Sequence, residues 1–134
     1  MSIKYLLGNN RLTIFPSYIN FHATNIFQDY SINYWISKGA PREKLILGMP
    51  LYGQSFTLSS SNNNGLNAPS SAPGLAGPFT RQAGFLAYYE ICHSIKTEGW
   101  TVVGPTTKVG PYAYRNNQWV SYDDKETIKR KVRL

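Results

Sequence analysis

The sequence has few residues of the kinds that build covalent or metal cross-links. Its single cysteine, Cys92, cannot form a disulfide within the chain. The two histidines, His22 and His93, lie far apart and offer no spacing typical of metal ligands. We therefore expect no structural metal, and no residue pattern indicates a cofactor.

Long hydrophobic runs are also missing. No apolar stretch approaches the length that crosses a bilayer, so the sequence predicts no membrane span and no membrane partner. The first eight residues contain too few apolar side chains for a signal peptide, and no Asn-x-Ser/Thr acceptor site for glycosylation occurs. No segment of the sequence therefore marks a cellular location.

Acidic residues are scarce: 7 stand against 14 basic residues, for a net charge of +7. Such a charge allows binding to nucleic acid, and a basic nucleic-acid-binding module is one alternative function. Many of the cations, however, fall within the last ten positions: Lys125, Lys129, Arg130, Lys131 and Arg133. Cations near the C-terminal end of a helix interact favourably with the helix dipole and usually form a solvated face, so we expect no nucleic-acid partner.

Aromatic residues, in contrast, are abundant. They make up 14% of the chain, with 10 Tyr and 3 Trp. Tyr and Trp combine a flat apolar face with a hydrogen-bonding edge, which suits stacking on sugar rings or nucleobases and also suits ordinary cores. The 134 residues fit one domain and are about half of what a complete (β/α)8 barrel needs.

The stretch 45–56 (LILGMPLYGQSF) gives the clearest structural signal. An apolar run of strand length passes through Gly48 and Pro50 and then presents Tyr52, Gln54 and Ser55. This pattern predicts a buried parallel strand that runs into a polar, aromatic rim, where α/β proteins bind ligands. The alternative is a core strand followed by an ordinary turn.

The residues before this strand predict a helix that starts near Gln28. Apolar side chains recur at helical spacing, and Gly39 followed by Pro41 predicts the helix end. A helix, a tight turn and a parallel strand form the αβ unit that repeats around a barrel. Earlier in the chain, the segments 12–15 and 18–21 could form two short strands.

The residues after the strand predict a different kind of structure. Segment 59–78, rich in Ser, Asn, Gly and Pro, predicts a linker or surface loop that enters an inserted subdomain. A helix over 82–96 capped by Thr80, a strand at 100–103, and a hairpin with a type I′ turn at Asn116-Asn117 follow. Asp123 is expected to cap a last helix, with Glu126 in capping-box register.

Several blocks in register resemble family 18 chitinases of the animal type. They are 33–35 (NYW), 39–41 (GAP), 44–53 (KLILGMPLYG), 55–58 (SFTL), 77–80 (GPFT), 86–92 (LAYYEIC), 111–112 (PY) and 118–124 (QWVSYDD). The resemblance covers residues 28–134. It implies an α+β fold: a small antiparallel sheet with a packed helix, the chitinase insertion domain, attached to an incomplete (β/α)8 barrel fragment.

The resemblance also implies domain boundaries. Residues 1–27 are a poorly defined N-terminal segment, and 28–56 correspond to a barrel helix and strand. Residues 57–118 correspond to the insertion subdomain, and 119–134 return to the barrel and begin another barrel helix. The resemblance further implies an extracellular protein of carbohydrate metabolism.

The acidic motif that supplies catalysis in this family, Asp-x-x-Asp-x-Asp-x-Glu, does not occur in the sequence. In that family the glutamate protonates the glycosidic oxygen while the N-acetyl carbonyl of the substrate attacks the anomeric carbon. We therefore expect no catalytic residue and no hydrolysis by this chain alone. The alternative is that it is a fragment of an active chitinase, which cleaves β-1,4-linked N-acetylglucosamine polymers when the rest of the barrel is present.

The resemblance implies three substrate-binding residues. Tyr52 matches a tyrosine that lines the cleft, and Gln54 stands where the family has a substrate-binding arginine. Because an amide replaces a charged, fork-shaped donor, we expect weaker binding of chitin or chitooligosaccharides. Glu90 matches a glutamate of the insertion domain that accepts hydrogen bonds from sugar hydroxyls. Cys92 matches a cysteine that is disulfide-bonded in the family.

The isolated barrel strand carries a further expectation. A lone parallel strand exposes apolar faces and an unpaired edge, so the stretch 45–51 has to be covered by other parts of the chain or by another copy. We therefore expect self-association through this strand.

Overall fold

The computed structural model describes residues 5–8, 11–14, 24–105 and 110–133, with side chains from residue 30 onward. These residues form a three-stranded sheet, a six-stranded sheet and three α-helices. Strands and helices are mixed, and the larger sheet is antiparallel, so the predicted α+β class is confirmed.

The smaller sheet contains a barrel-type unit. Strand β1 (Tyr5–Gly8) pairs antiparallel with β2 (Arg11–Ile14), and helix α1 (Thr24–Ser37) then leads to β3 (Leu45–Leu47). Strand β3 lies parallel to β2, which confirms the predicted helix and parallel strand. Of the two strands expected near the N-terminus, the first corresponds to β2 and the second, 18–21, lies outside the described residues.

The end of α1 follows the expectation from its glycine. Gly39 has a φ of +88°, which a residue with a side chain rarely adopts. The Gly39 N–H donates to the Ile36 carbonyl, and the Ala40 N–H donates to the Trp35 carbonyl. These two bonds form a Schellman motif, which satisfies the last carbonyls of the helix before Pro41. The helix starts at Thr24, four residues before the predicted start at Gln28.

The parallel strand is shorter and less buried than expected. It ends at Leu47, and Ile46 is 38% exposed. The residues expected to form its rim belong instead to a separate strand of the larger sheet, β4 (Tyr52–Leu58). Gly48 and Pro50 separate the two strands because glycine weakens a strand and proline lacks the N–H that a ladder needs.

The larger sheet holds most of the described strands. After β4 come β5 (Ser70–Pro73), β6 (Phe85–Ala87), α2 (Tyr88–Thr97), β7 (Thr101–Val103), β8 (Tyr112–Arg115), β9 (Gln118–Ser121) and α3 (Lys125–Val132). The strand order is β5-β4-β9-β8-β7, with β6 paired to the first part of β4. The division of the chain into domains stays a prediction.

Two elements differ from the sequence-based prediction. The expected loop 59–78 contains β5, which has no buried side chain and is held by main-chain pairing to β4. The helix predicted to begin at Gln82 begins at Tyr88, because Phe85–Ala87 pairs with Tyr52–Gln54 as β6. Periodicity alone does not separate these outcomes, since Phe85 fits either pattern.

The hairpin of β8 and β9 forms where it was predicted. Arg115 pairs with Gln118, so the loop has two residues. Of these two loop residues, only Asn116 has a positive φ, of 53°. A type I′ turn requires positive φ at both positions, so the predicted turn type is wrong, and the φ signs are those of type II′.

The core lies between α2 and one face of the larger sheet. Its buried members are Leu86, Ile91, Ala113 and Val120. Gly53 lies at the contact: a Cβ there would lie 2.6 Å from the Ser121 carbonyl and 2.7 Å from Ile91 Cδ1. The helix can therefore approach the sheet this closely only because position 53 has no side chain.

The start of α3 corrects two predictions. Asp124, rather than Asp123, caps the helix by accepting bonds of 2.7 Å from the Thr127 N–H and hydroxyl. Asp123 instead forms a buried ion pair with Lys131. The C-terminal cations are therefore not all solvated, because helical spacing turns Lys131 inward.

Candidate functional site

A groove of about 620 Å³ opens where β5 and β6 meet along β4. Strand β6 pairs with the first part of β4 and β5 pairs with the last part, and residues from all three strands line the groove. Its polar lining residues are Gln54, Ser55, Ser70, Ser71 and Gln82, and its aromatic ones are Phe56 and Phe85. The residues that line it carry no charged side chain, so the groove suits a neutral ligand.

An aromatic pair stands beside the groove. The rings of Tyr52 and Phe85 stack with their centroids 4.8 Å apart at an interplanar angle of 30°. Gln54 pairs with Phe85 across β4 and β6, and Tyr52 lies two residues before Gln54 on the same face. The structure therefore brings the predicted site residues Tyr52 and Gln54 together, next to an apolar ring.

Ser55 points to the other face of β4. Only 3% of its surface is exposed, and its hydroxyl oxygen has no hydrogen-bond partner among the described residues. A Cβ at Gly74 would lie 2.6 Å from the Ser55 Cβ, so the chain passes closely over this side chain. The Ser55 side chain is therefore almost fully enclosed, although the residue forms part of the groove lining.

Glu90 lies inside the fold with 2% of its surface exposed. Its Oε1 accepts from the N–H groups of Phe79 at 2.8 Å and Thr80 at 2.9 Å. Its Oε2 accepts from the Thr80 hydroxyl at 2.7 Å and from the Ala87 N–H at 2.9 Å. A carboxylate has about four lone-pair sites, so the protein itself occupies them all. Glu90 does not line the groove.

The four hydrogen bonds also decide the protonation of Glu90. Burial by itself raises the pKa of this carboxyl group, but the bonds from Thr80, Ala87 and Phe79 together outweigh burial and lower the pKa below its ordinary value. Glu90 is therefore an anion at neutral pH, held by dipoles rather than by a cation. Thr80, which was expected to cap a helix, instead donates to this carboxylate.

Two residues of the groove, Gln82 and Phe85, escaped the sequence-based prediction. Both were assigned to a helix, which hid their position beside Gln54. Gly84, with a φ of +78°, is the signal that could have found them, because glycine inside a helical pattern marks a possible break.

The aromatic residues of the last block serve the core. The Trp119 ring is 5% exposed and stacks on Tyr112 at 5.1 Å, and its indole N–H donates to the Asn64 carbonyl at 3.1 Å. Tyr122 packs against the core cluster. Burial is the largest cause that raises the pKa of Tyr122 to about 12, and the charge of Asp124 is the next largest. These side chains stabilise the sheet and do not reach the groove.

Cys92 is a half-buried free thiol on α2. Its hydrogen bond with Tyr88 is the largest cause that raises the pKa of that tyrosine. No cluster of three or more His, Cys, Asp or Glu side chains occurs among the residues whose positions are described. Within that same part of the chain, no helix combines the length and apolar character needed to span a bilayer.

Comparison with known proteins places these features in a family. Residues 5–134 match the sequence profile of the glycosyl hydrolases family 18. "Probable chitinase 10" of Drosophila melanogaster is 59% identical over 107 residues, which are 79% of this chain and 5% of that protein.

Two solved structures show the same fold. Catalytic domain 2 of the Group II chitinase of Ostrinia furnacalis superposes with a TM-score of 0.75 at 46% identity, covering 78% of this chain and 28% of that one. Human YKL-39, described as a pseudo-chitinase with retained chitooligosaccharide binding properties, gives 0.71 at 48% identity over the same shares.

This chain thus spans less than a third of the length of these relatives. The profile nevertheless covers nearly every residue, and the solved domain matches 78% of this chain. The chain belongs to the glycosyl hydrolases of family 18.

Proposed function

We propose that this chain binds chitooligosaccharides through the groove between β5 and β6. The observation that carries the proposal is the stacked pair of Tyr52 and Phe85 beside the amides of Gln54 and Gln82. The similarity to a pseudo-chitinase that retains chitooligosaccharide binding supports it.

The groove has the chemistry that an N-acetylated sugar requires. An aromatic ring packs on the apolar face of a pyranose, and an amide both donates to and accepts from hydroxyl and N-acetyl groups. Gln54 and Gln82 provide two such amides, and no charge has to be desolvated on binding. Because Gln54 replaces the arginine expected from the family, binding is weaker than it would be with a charged donor.

The same proposal holds that the 134-residue chain does not hydrolyse chitin unaided. The Asp-x-x-Asp-x-Asp-x-Glu motif is not in the sequence, and the groove is lined by no carboxylate that could protonate a leaving group. A general acid contributes roughly 10²- to 10⁴-fold to rate. If a longer parent chain or a partner supplies that motif, the groove becomes one wall of an active chitinase cleft.

Calorimetric titration of the purified chain with chitohexaose tests the binding. We expect saturable binding with a Kd on the order of a millimolar or below. Gln54→Ala and Gln82→Ala should each weaken it, whereas Gln54→Arg should strengthen it. Asn63→Ala removes an exposed amide outside the groove and should have no effect. Absence of binding at millimolar sugar would contradict the proposal.

A chitobiose-type reporter tests the chemistry separately. We expect no turnover above background by the chain alone. Steady, stoichiometric turnover by a preparation free of contaminating chitinase would overturn this part of the proposal and favour the alternative of an active enzyme. An extracellular location, implied by the family resemblance, also remains a proposal.

A further inference from the structure

One buried carboxylate holds both ends of a short segment, residues 81–86. At the start of the segment, Glu90 Oε1 accepts from the Phe79 and Thr80 N–H groups. At its end, Glu90 Oε2 accepts from the Ala87 N–H. The residues on both sides of the segment are therefore bonded to the same side chain of α2.

This segment carries one side of the groove. Gln82 and Phe85 both lie in it, and both line the groove. Its middle is bonded to the sheet, because the Ser55 N–H donates to the Gly84 carbonyl at 3.0 Å and the Gly84 N–H donates to the Gly74 carbonyl at 2.9 Å. Any movement of the segment would move Gln82 and Phe85 relative to Gln54.

The conformation of the segment is not one that it would adopt unaided. Arg81, with a φ of 53°, and Gly84, with a φ of +78°, lie in the left-handed region, and for Arg81 this costs free energy. Such backbone persists only where tertiary contacts hold it. Gly77 supplies the room for one of them, since a Cβ there would lie 2.6 Å from Glu90 Cδ.

We propose that Glu90 is a positioning residue for glycan binding: it clamps residues 81–86 so that Gln82 and Phe85 face the ligand, without touching the sugar. This inference rests on the proposed function of the groove. It assigns Glu90 a role different from the direct hydrogen bond to sugar that the family resemblance implied, because all its acceptor sites are occupied within the protein.

A double-mutant cycle separates positioning from direct contact. We expect Glu90→Gln to weaken chitohexaose binding about tenfold, measured by calorimetry. If Glu90 acts through Gln82, its effect in a Gln82→Ala background should fall to about threefold or less, because the residue it positions is gone. An undiminished tenfold effect in that background would overturn the proposal and support direct contact with sugar.

Amide hydrogen exchange tests the clamp without any ligand. Glu90→Gln should speed exchange at Ser55 and Gly84, whose N–H groups are bonded through the segment, by about tenfold or more. Glu43→Gln, the same change at an exposed site, should leave both amides unchanged. Unchanged exchange at Ser55 and Gly84 in the Glu90 variant would overturn the clamp.

A milder variant keeps the test valid if Glu90→Gln does not fold. Thr80→Val removes only the hydroxyl bond to Glu90 and should change exchange and affinity in the same directions by smaller factors. The two failures are also distinguishable. If Glu90→Gln speeds exchange but the wild-type chain binds no sugar, the proposed function is refuted. If the wild type binds sugar but Glu90→Gln leaves exchange unchanged, the clamp is refuted.

Discussion

Two carboxylates are buried in the part of the chain whose side chains the structure describes, and the fold stabilises their charges in different ways. Glu90 is surrounded by neutral donors, three backbone N–H groups and one hydroxyl. Asp123 faces the ammonium group of Lys131, and both side chains are largely removed from water. A buried charge that loses its partner is costly, whether that partner is a set of dipoles or an ion.

The ion pair predicts unequal effects along α3. Asp123→Asn leaves the buried Lys131 without its counter-charge, so we expect a loss of about 3–5 kcal/mol in the free energy of unfolding. Glu126→Gln breaks the pair with Lys129, in which both side chains are at least half exposed to water, and should cost much less. Urea denaturation of the two variants measures both values. Similar losses for both would contradict this account of the ion pair.

Glu90 predicts how stability depends on pH. Its pKa is lower in the folded chain than in the unfolded chain, so its contribution is fully present above the unfolded pKa and is lost as pH falls through the folded pKa. The wild type should therefore melt well above Glu90→Gln at neutral pH. The difference should shrink as the pH falls below about 4. A difference in Tm that stays constant down to acidic pH would argue against an ionised Glu90 in the fold.

At the scale of elements, the packing of α2 on the larger sheet depends on a missing side chain. Ile91 and Val120 meet over Gly53, and the Ser121 carbonyl lies on the same side. The strand that carries Gly53 also carries Tyr52 and Gln54. The position of the helix and the geometry of the groove wall are thus fixed by the same strand.

Gly53→Ala tests this packing. The added methyl group overlaps the backbone of β9 as well as two core side chains, and we expect a destabilisation of roughly 1–3 kcal/mol. Gly65→Ala is a matched control, because a Cβ there would meet nothing within 4 Å and the φ is not positive. Thermal melts of the two variants give the comparison. An unchanged Tm for Gly53→Ala would show that α2 packs less closely than described.

At the scale of the whole molecule, the barrel-type part leaves apolar surface uncovered. Strand β3 is the last strand of its sheet in the described part of the chain, and Leu51, just beyond it, is 68% exposed. The part of this chain that matches the solved relative covers only 28% of that relative's chain. A surface of this kind promotes contact with other polypeptide, including a second copy.

We therefore expect concentration-dependent self-association, measured by sedimentation velocity. Leu51→Lys should shift the distribution toward monomer, because a charge at this position has to be desolvated in any interface. Val132→Lys, at an equally exposed apolar position on α3, serves as the control and should shift it little. A monomer at all concentrations in the wild type would contradict the expectation.

The sequence by itself determined the features that depend on neighbouring residues. Gly39 and Pro41 end a helix wherever they occur in this pattern, and Asn116-Asn117 between two alternating segments predicts a hairpin. Blocks in register identified the family, because many short matches in one order do not arise from composition. The α+β class followed from these signals.

Only the tertiary structure decided which residues surround the groove and which lie buried. Phe85 forms a strand because Gln54, far away in the sequence, offers it a partner. Glu90 is a buried anion because a loop N–H at Thr80 and the last N–H of β6 both donate to it, and Lys131 is buried because it pairs with Asp123, which precedes α3. The physical reason is common to these cases: a hydrogen bond or ion pair depends on the partner that the fold supplies, which no local pattern specifies.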